Sequence, residues 1–225
     1  MEDLVIWSLN FLGRDLHITL SMLLQVIVSL VIISVAFYFT RNLKKIPNKK
    51  QSMVELFIVG LNNIIKENMG DTYFGFAPFI GTLALYLGTL NLVGLFGISP
   101  PTTDFSVTFG LGLISFIVIQ GYTIKKIGLL HYFGGYAKPI ALLLPINIME
   151  RIVFPISLAL RLFGNMFAAT MIMDLLYGAL AKVSIFAQFG VPIALHAYFD
   201  IFDGTLQMVI FVMLTMINIK IISEH

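Results

Sequence analysis

The sequence predicts an all-α polytopic membrane protein in one membrane domain, residues 1–225, with about five membrane-crossing helices and one amphipathic surface helix. Of the 225 residues, 58% are hydrophobic and 12% are charged, whereas soluble domains average about 25% charged and 45–50% apolar residues. So little charge cannot cover a soluble surface, which excludes a cytosolic domain, a nucleic-acid-binding protein and a disordered chain. An outer-membrane barrel is excluded because its strands alternate apolar and polar residues over about ten positions.

The first predicted span covers residues 18–40, and a helix needs about 20 apolar residues to cross about 30 Å of hydrocarbon. This run is longer than the apolar core of a signal peptide and no basic region precedes it, so we expect a retained span. A basic cluster follows it, formed by Arg41, Lys44, Lys45, Lys49 and Lys50. Since basic loops stay in the cytoplasm, residues 1–17 are predicted to form an external N-terminus.

The next three elements are predicted to be a surface helix and two spans. Residues 51–70 place apolar side chains at helical spacing, but polar residues interrupt them too often for a span, which favours a helix on the cytoplasmic surface. Residues 74–97 and 105–124 are uncharged runs long enough to cross the membrane. The second of these ends at Lys125 and Lys126, which indicates a return to the cytoplasm.

The last two segments, 140–177 and 183–220, are predicted to be long tilted helices that form a hairpin. Each has about 38 residues, which corresponds to about 57 Å of α-helix and nearly twice the hydrocarbon thickness. Such helices must tilt steeply, lie partly in the membrane plane or break. A short turn at residues 178–182 is predicted to join them. Five crossings then leave the C-terminus in the cytoplasm.

Polar residues concentrate in this hairpin, where each ionisable group costs at least about 2.5–3.5 kcal/mol at mid-bilayer and should face protein or water. At 100° per residue, five polar residues of the last segment lie within about 60° of arc: His196, Asp200, Asp203, Gln207 and Asn218. They form either interhelical hydrogen bonds or a hydrated, ion-conducting wall. The second hypothesis is favoured because two aspartates beside a histidine suit proton relay or cation coordination. These residues do not suit a zinc protease, because the sequence contains no HExxH motif.

Arg161 is the most unusual residue of the preceding segment, because no other charge lies within nine residues before it or twelve after it. On a helical projection, Arg161 lies within one arc of about 80° together with Glu150, Ser157 and Asn165. An arginine guanidinium stays protonated in proteins. Two hypotheses stand: a salt bridge to Asp200 or Asp203 of the same chain, or a fixed cation that meets a carboxylate of a partner.

Three stretches resemble one known family. Residues 155–168, PISLALRLFGNMFA, resemble the signature of subunit a of F-type ATP synthases. Residues 204–207, GTLQ, are similar to the last helix of that family, and residues 101–108, PTTDFSVT, to its loop before a middle span. The resemblance covers residues 18–225 and is most specific at the arginine beside Gly-Asn.

The resemblance implies a non-catalytic stator subunit beside a rotating ring of c subunits, with b-type peripheral stalk subunits and, indirectly, the F1 sector as further partners. Two offset aqueous half-channels would pass H⁺ or Na⁺ to and from ring carboxylates. Arg161 matches the essential arginine that prevents a direct leak, and Asn165 and Gln207 match its polar neighbours. The other candidates for the ion pathway are Asp203, Asp200, His196, Glu150, Asp174, Thr170 and Asn147. No cofactor or metal is implied, and the expected location is the bacterial plasma membrane.

The sequence departs from the family at two positions of the predicted pathway. Many members carry glutamate nine residues after the arginine, where this chain has Thr170, and Asp174 one turn later is the candidate replacement. Asp200 occupies a position at which members vary between histidine and an acidic residue. The conducted ion therefore stays open. A stand-alone secondary ion-coupled transporter is the alternative, although such proteins usually contain internal repeats, which this sequence lacks.

Overall fold

The computed structural model describes residues 5–11, 14–41, 43–129, 144–182 and 190–224. Within these residues, five helices are long and apolar enough to cross a membrane: Leu20–Thr40, Asp71–Phe96, Phe105–Ile127, Leu144–Ala181 and Val191–Ser223. The predicted fold class, an all-α polytopic membrane protein, is thereby confirmed for the membrane part of the chain.

A two-stranded hairpin, which the sequence analysis did not anticipate, precedes the first helix. Strand β1 (Val5–Phe11) pairs antiparallel with β2 (Arg14–Thr19). Helix α1 (Leu20–Thr40) follows directly, and the Thr19 hydroxyl accepts a hydrogen bond from the Met22 N–H at 3.4 Å. Hydroxyl side chains are preferred at this position because a helix leaves its first N–H groups without backbone partners. The hairpin therefore leads straight into the first span.

Helix α1 stands at the edge of the structure. Val28 is its one buried side chain, and it packs against Leu90 and Val93 of the following span. Apolar side chains on the rest of α1 are exposed, including Leu30, with 58% of its surface exposed. Most of α1 is thus free to contact lipid or another subunit.

Helix α2 (Lys49–Asn68) is amphipathic and leads into the second span. Two residues after its last residue comes Gly70, whose N–H bonds to the carbonyls of Ile65 and Lys66. The φ of Gly70 is 97°, in the region that favours glycine. A 3-10 helix (Asp71–Phe76), helix α3 (Ala77–Leu92) and a second 3-10 turn (Val93–Phe96) follow. The second turn lies beside the candidate site.

Helix α4 (Phe105–Ile127) follows a short 3-10 turn, Pro101–Thr103. The Asp104 carboxylate caps α4 by accepting a hydrogen bond from the Ser106 N–H at 2.8 Å. Lys125 and Lys126 occupy its last turn, where cations interact favourably with the helix dipole. The helix ends before Gly128, with φ of 86°.

Helix α5 (Leu144–Ala181) is a continuous helix of 38 residues that contains Pro155. The predicted turn at residues 178–182 is therefore wrong, because α5 continues to Ala181. A single glycine such as Gly178 costs only about 1 kcal/mol relative to alanine in a helix, and good helix formers follow it. The connection at residues 183–189 lies outside the described residues.

The final membrane segment combines two kinds of helix, and its residues 191–224 are called the last helix below. It consists of α6 (Val191–His196), a π-helical segment (Ala197–Asp203) and α7 (Gly204–Glu224). A π-helix closes i→i+5 hydrogen bonds, so it turns less than 100° per residue. This change of period determines which polar residues share a face.

Helix α4 lies at the centre of the packing, with α5 on one side and α7 on another. The buried core also contains residues of α2 and α3, and its fully buried members include Ile65, Ile80, Leu87, Ile119 and Met216. Close approach of α4 to α5 depends on Gly112, where an added Cβ would lie 2.7 Å from the Pro155 carbonyl oxygen. A second face of α5 stays exposed, and Arg161 lies on it.

Candidate functional site

The exposed face of α5 presents the polar residues that the helical projection grouped together. Glu150, Ser157, Arg161 and Asn165 are all exposed. The buried stripe of the same helix points toward the core and is formed by Pro155, Leu158, Ala159, Leu162, Met166, Ala169 and Met173. Because residues three and four apart share a helix face, each set forms one stripe, and at 100° per residue the centres of the two stripes lie about 115° apart. Arg161 therefore lies on the exposed face, at the edge of the core rather than within it.

The Arg161 guanidinium makes no hydrogen bond or ion pair with any residue in the part of the chain that the structure describes. In particular, no ion pair joins it to Asp200 or Asp203. The hypothesis of a salt bridge between these groups is therefore wrong for this structure. A guanidinium has five N–H donors, and none of those on Arg161 is bonded to a described residue of its own chain.

On the last helix, Gln207 of α7 is a polar residue that shares a cleft with Arg161. A shallow cleft between α5 and α7, with no room for a water molecule, is lined by Leu158, Arg161, Leu162, Gln207, Ile210 and Phe211. Gln207 is buried, with 5% of its surface exposed, and its amide Nε2 donates to the Asp203 carboxylate at 3.4 Å. An amide, rather than a carboxylate of the same chain, thus flanks the arginine.

Asp200 lies on a different side of the last helix. Its Oδ2 is 2.6 Å from Nδ1 of His196, and 7% of the residue surface is exposed. Its other oxygen, Oδ1, lies so near Gly94 that a Cβ on that glycine would be 2.7 Å away. The second 3-10 turn therefore forms a close-fitting cradle for the carboxylate.

His196 connects this carboxylate to α5. Its Nε2 lies 3.1 Å from the hydroxyl oxygen of Tyr177, and the two ring centroids are 5.9 Å apart. Tyr177 is half-buried near the C-terminal end of α5. A chain of hydrogen-bonding groups thus crosses from α5 to the last helix at some distance from Arg161.

The π-helical segment corrects the prediction that five polar residues share one narrow face. Asp200 contacts the turn at Gly94, whereas Gln207 faces the Arg161 cleft. The Asn218 amide donates to the Leu214 carbonyl of its own helix at 2.9 Å. A uniform 100° per residue does not apply between residues 197 and 203, because that segment is not α-helical.

The remaining predicted residues lie apart from this centre. The Thr170 hydroxyl donates to the Met166 carbonyl at 3.0 Å, and Asp174 is exposed one turn later. Asn147 is half-buried and Glu150 is exposed, with Asn147 about 21 Å from Arg161 along the helix axis. Among the described residues, no group of three or more His, Asp or Glu side chains is placed to hold a metal ion.

Comparison with known proteins decides the family. The model of the family described as "ATP synthase A chain" matches residues 22–220. The chain belongs to this family. It is therefore an integral membrane protein and a membrane subunit of an ATP synthase complex.

Three relatives of this ATP synthase A chain family member each share about a third of the aligned residues with it. The chain is similar to ATP synthase subunit a of Staphylococcus saprophyticus, with 36% identity over 241 aligned positions that cover 100% of this chain and 98% of the relative. It is also similar to the sodium ion specific subunit a of Propionigenium modestum, with 32% identity over 219 positions, or 90% and 73% of the two chains. The subunit a of Moorella thermoacetica is 31% identical over 84% of each chain.

In this family member, three residues that contact the last helix were not predicted from the sequence: Tyr177, Gly94 and Asn91. The Asn91 amide donates to the Gly204 carbonyl at 2.9 Å and accepts from the Thr102 hydroxyl at 3.0 Å. It thereby ties the end of α3 to the junction between the π-helical segment and α7. An asparagine in an uncharged apolar run was the available signal, since an amide inside a membrane segment needs hydrogen-bond partners. Tyr177 and Gly94 gave no such signal, because a tyrosine or a glycine near a helix end is common.

Proposed function

We propose that this chain is the stator subunit a of the Fo sector of a rotary ATP synthase and couples ion flow to ring rotation. Two aqueous half-channels pass H⁺ or Na⁺ to and from carboxylates of the ring subunits. Arg161 attracts each deprotonated ring carboxylate and blocks a direct leak between the half-channels. Each charge that crosses the membrane supplies about 2.3 kcal/mol per 100 mV to drive rotation.

The exposed and unpartnered guanidinium of Arg161 is the observation on which this proposal rests. A charged group on an apolar helix is costly in the bilayer unless it meets a partner or water. Within the described residues, its own chain supplies the amide of Gln207 nearby and no carboxylate. A carboxylate from a neighbouring subunit fits this requirement, and a moving ring supplies one repeatedly.

The other polar residues divide between the two half-channels by their position along the helices. His196, Asp200, Asp203 and Asp174 lie toward the ends of α5 and the last helix that face outside in the predicted topology. Asn147 and Glu150 lie toward the opposite end of α5. Asn165 and Thr170 lie within about 14 Å of Arg161 along the axis. This division supports one half-channel on each side of the arginine.

The proposed partners are a ring of c subunits at Arg161, b-type peripheral stalk subunits, and the F1 sector indirectly. The largely exposed surface of α1 supports a contact with lipid or a stalk subunit. We place the chain in a bacterial plasma membrane with its N-terminus outside and its C-terminus in the cytoplasm. Its role is ion translocation without catalysis of ATP chemistry, since no P-loop occurs in the sequence.

The experiment that tests this proposal is the Arg161→Ala substitution in ATP synthase reconstituted into vesicles. We expect ATP-driven ion pumping to fall to the background level, because the ring carboxylate loses the cation that attracts it. Arg41→Ala is the matched control, since the Arg41 guanidinium is exposed at the end of α1 with its carbon 5.9 Å from the Phe37 ring centroid. Undiminished pumping by Arg161→Ala refutes the role assigned to Arg161.

Purification separates the proposal from the alternative of a stand-alone secondary transporter. A stator subunit is expected to co-purify with a multi-copy ring of small hairpin subunits. An isolated chain that transports ions by itself contradicts the stator assignment.

A further inference from the structure

Three polar side chains connect α5 to a buried carboxylate of the last helix. The Tyr177 hydroxyl lies 3.1 Å from Nε2 of His196, and Nδ1 of the same imidazole lies 2.6 Å from Oδ2 of Asp200. Both distances are within hydrogen-bonding range. Since an imidazole has two nitrogens that exchange donor and acceptor roles, it can join two partners into one continuous path.

The carboxylate at the inner end of this path is held in one orientation. Oδ2 of Asp200 is bonded to His196, while Oδ1 lies against the backbone at Gly94. No lysine or arginine of the described residues forms an ion pair with it. Among the described residues, His196 is thus the titratable group to which Asp200 is hydrogen-bonded.

The hydroxyl at the outer end lies near the end of its helix. Tyr177 is four residues before Ala181, where α5 ends, and it is only half-buried. Arg161 is 16 residues earlier on the same helix, about 24 Å along the axis. Tyr177 is therefore well placed to meet water outside the membrane and badly placed to contact the ring carboxylate.

We propose that Tyr177, His196 and Asp200 form a proton relay in which Tyr177 is the uptake residue of the outer half-channel. This inference rests on the proposed function, because it assigns a path to one of the two half-channels. It adds Tyr177, which the sequence did not single out, and it specifies the proton as the ion that this path accepts.

The relay moves one proton inward by three coupled transfers. Before transfer, the tyrosine hydroxyl donates to Nε2 and the Nδ1–H donates to the Asp200 carboxylate. The Nδ1 proton then moves to Asp200, the tyrosine proton moves to Nε2, and the phenolate oxygen takes a proton from water. One proton has entered and one carboxyl group is protonated, while the imidazole has changed tautomer. After Asp200 passes its proton on, the imidazole returns to the first tautomer by exchange with water: Nδ1 takes up one proton and Nε2 releases one, so the reset adds no net charge.

The same geometry is unsuited to a dehydrated metal cation. Both imidazole nitrogens already have partners, and one carboxylate oxygen is packed against backbone. The described residues provide no cluster of three or more His, Asp or Glu side chains. A path made of exchangeable N–H and O–H groups transfers protons without any of these groups leaving its place.

Tyr177→Phe tests the relay because it removes one hydroxyl and keeps the ring. In reconstituted ATP synthase that makes ATP from an imposed gradient, we expect this variant to reduce the rate about tenfold and to raise the H₂O/D₂O rate ratio. Tyr198→Phe is the matched control, because Tyr198 is exposed and its ring lies against the rings of Phe199 and Phe202. A Tyr177→Phe rate and isotope ratio equal to those of Tyr198→Phe overturn the proposal.

Rescue of a His196 variant by added imidazole distinguishes a proton-transfer role of His196 from a merely structural role, because free imidazole can carry protons but does not rebuild the packing. His196→Ala is expected to lower the rate about 10²-fold, and added imidazole is expected to restore part of it. If the alanine variant does not assemble, His196→Gln replaces it, with a persistent rate loss expected because an amide cannot exchange protons in this way. Assembled His196→Ala with no response to imidazole contradicts the relay, as does a normal rate in His196→Gln.

The Arg161→Ala variant separates failure of the relay from failure of the proposed function. If Arg161 is essential while Tyr177→Phe and His196→Ala behave normally, only the relay is refuted. If Arg161→Ala pumps ions normally, the proposed function itself is refuted.

Discussion

Arg161 and Asp200 are two charged groups whose surroundings differ in a way that suits two tasks. Arg161 is exposed and has no carboxylate partner in the described part of its chain, whereas Asp200 is buried and bonded to His196. A fixed outward cation can act on a group that moves past it. A buried carboxylate with one imidazole partner can take up and release a proton without leaving its position.

The position of Asp200 depends on the missing side chain at Gly94. Gly94→Ala places a Cβ 2.7 Å from Oδ1 of Asp200, and the short side chain can relieve this contact by turning away from His196. We therefore expect proton-driven ATP synthesis to fall about tenfold while the complex still assembles, because proton transfer requires hydrogen-bond distance. The measurement is the synthesis rate in vesicles, normalised to the amount of assembled complex.

Gly88→Ala on α3 is the matched control for this prediction. A Cβ there would lie 3.8 Å from two carbon atoms of Met208, which is ordinary van der Waals contact. Equal synthesis rates in the Gly94→Ala and Gly88→Ala variants would show that the cradle does not set the position of Asp200.

Sequence patterns predicted the residues of the site better than their arrangement. Arg161 was recognisable because charge in an apolar helix is costly, and Gln207 and Asp200 because they interrupt an apolar run. The partners Tyr177 and Gly94 were not recognisable, since a tyrosine or glycine at a helix end is common. Their roles appear only when elements distant in the sequence are brought together.

At the scale of elements, the close contact between α4 and α5 positions the helix that bears Arg161. Gly112→Ala puts a Cβ 2.7 Å from the Pro155 carbonyl oxygen, which belongs to the backbone and cannot rotate away. We expect the two helices to separate locally, with a loss of about 1–3 kcal/mol in stability. Heating the purified complex and following the release of this chain by native electrophoresis measures the effect.

The control for that substitution is Gly110→Ala on the same helix, where an added Cβ meets nothing within 4 Å. The expected release temperature is close to that of the unmodified complex. If Gly112→Ala is equally stable, close packing at Pro155 does not hold α5 in place.

Apolar run lengths and charge positions predicted the helices themselves, because a span requires about 20 apolar residues whatever its tertiary contacts. The π-helical segment Ala197–Asp203 was not predictable in this way. Hydrophobic periodicity assumes 3.6 residues per turn, and the buried contacts of Asn91 with Gly204 and of Asp200 with Gly94 lie across the structure. These contacts accompany the local change from α-helix to π-helix, which the local sequence pattern does not predict.

At the scale of the whole molecule, the chain consists of a packed centre and an open side. Helices α3, α4, α5 and α7 share one core, whereas α1 and the outer face of α5 expose large apolar surfaces. Such surfaces belong in lipid or against other membrane subunits. The arginine lies on this open side, so the account requires a neighbouring subunit at that place.

A map of the intact ATP synthase in its membrane environment tests this requirement most directly. The account predicts that a carboxylate on a helix of the ring faces Arg161, at or near the 4 Å limit of an ion pair in at least one rotational state. Lipid alone opposite Arg161, or a permanent ion pair between Arg161 and a carboxylate of its own chain, would contradict it.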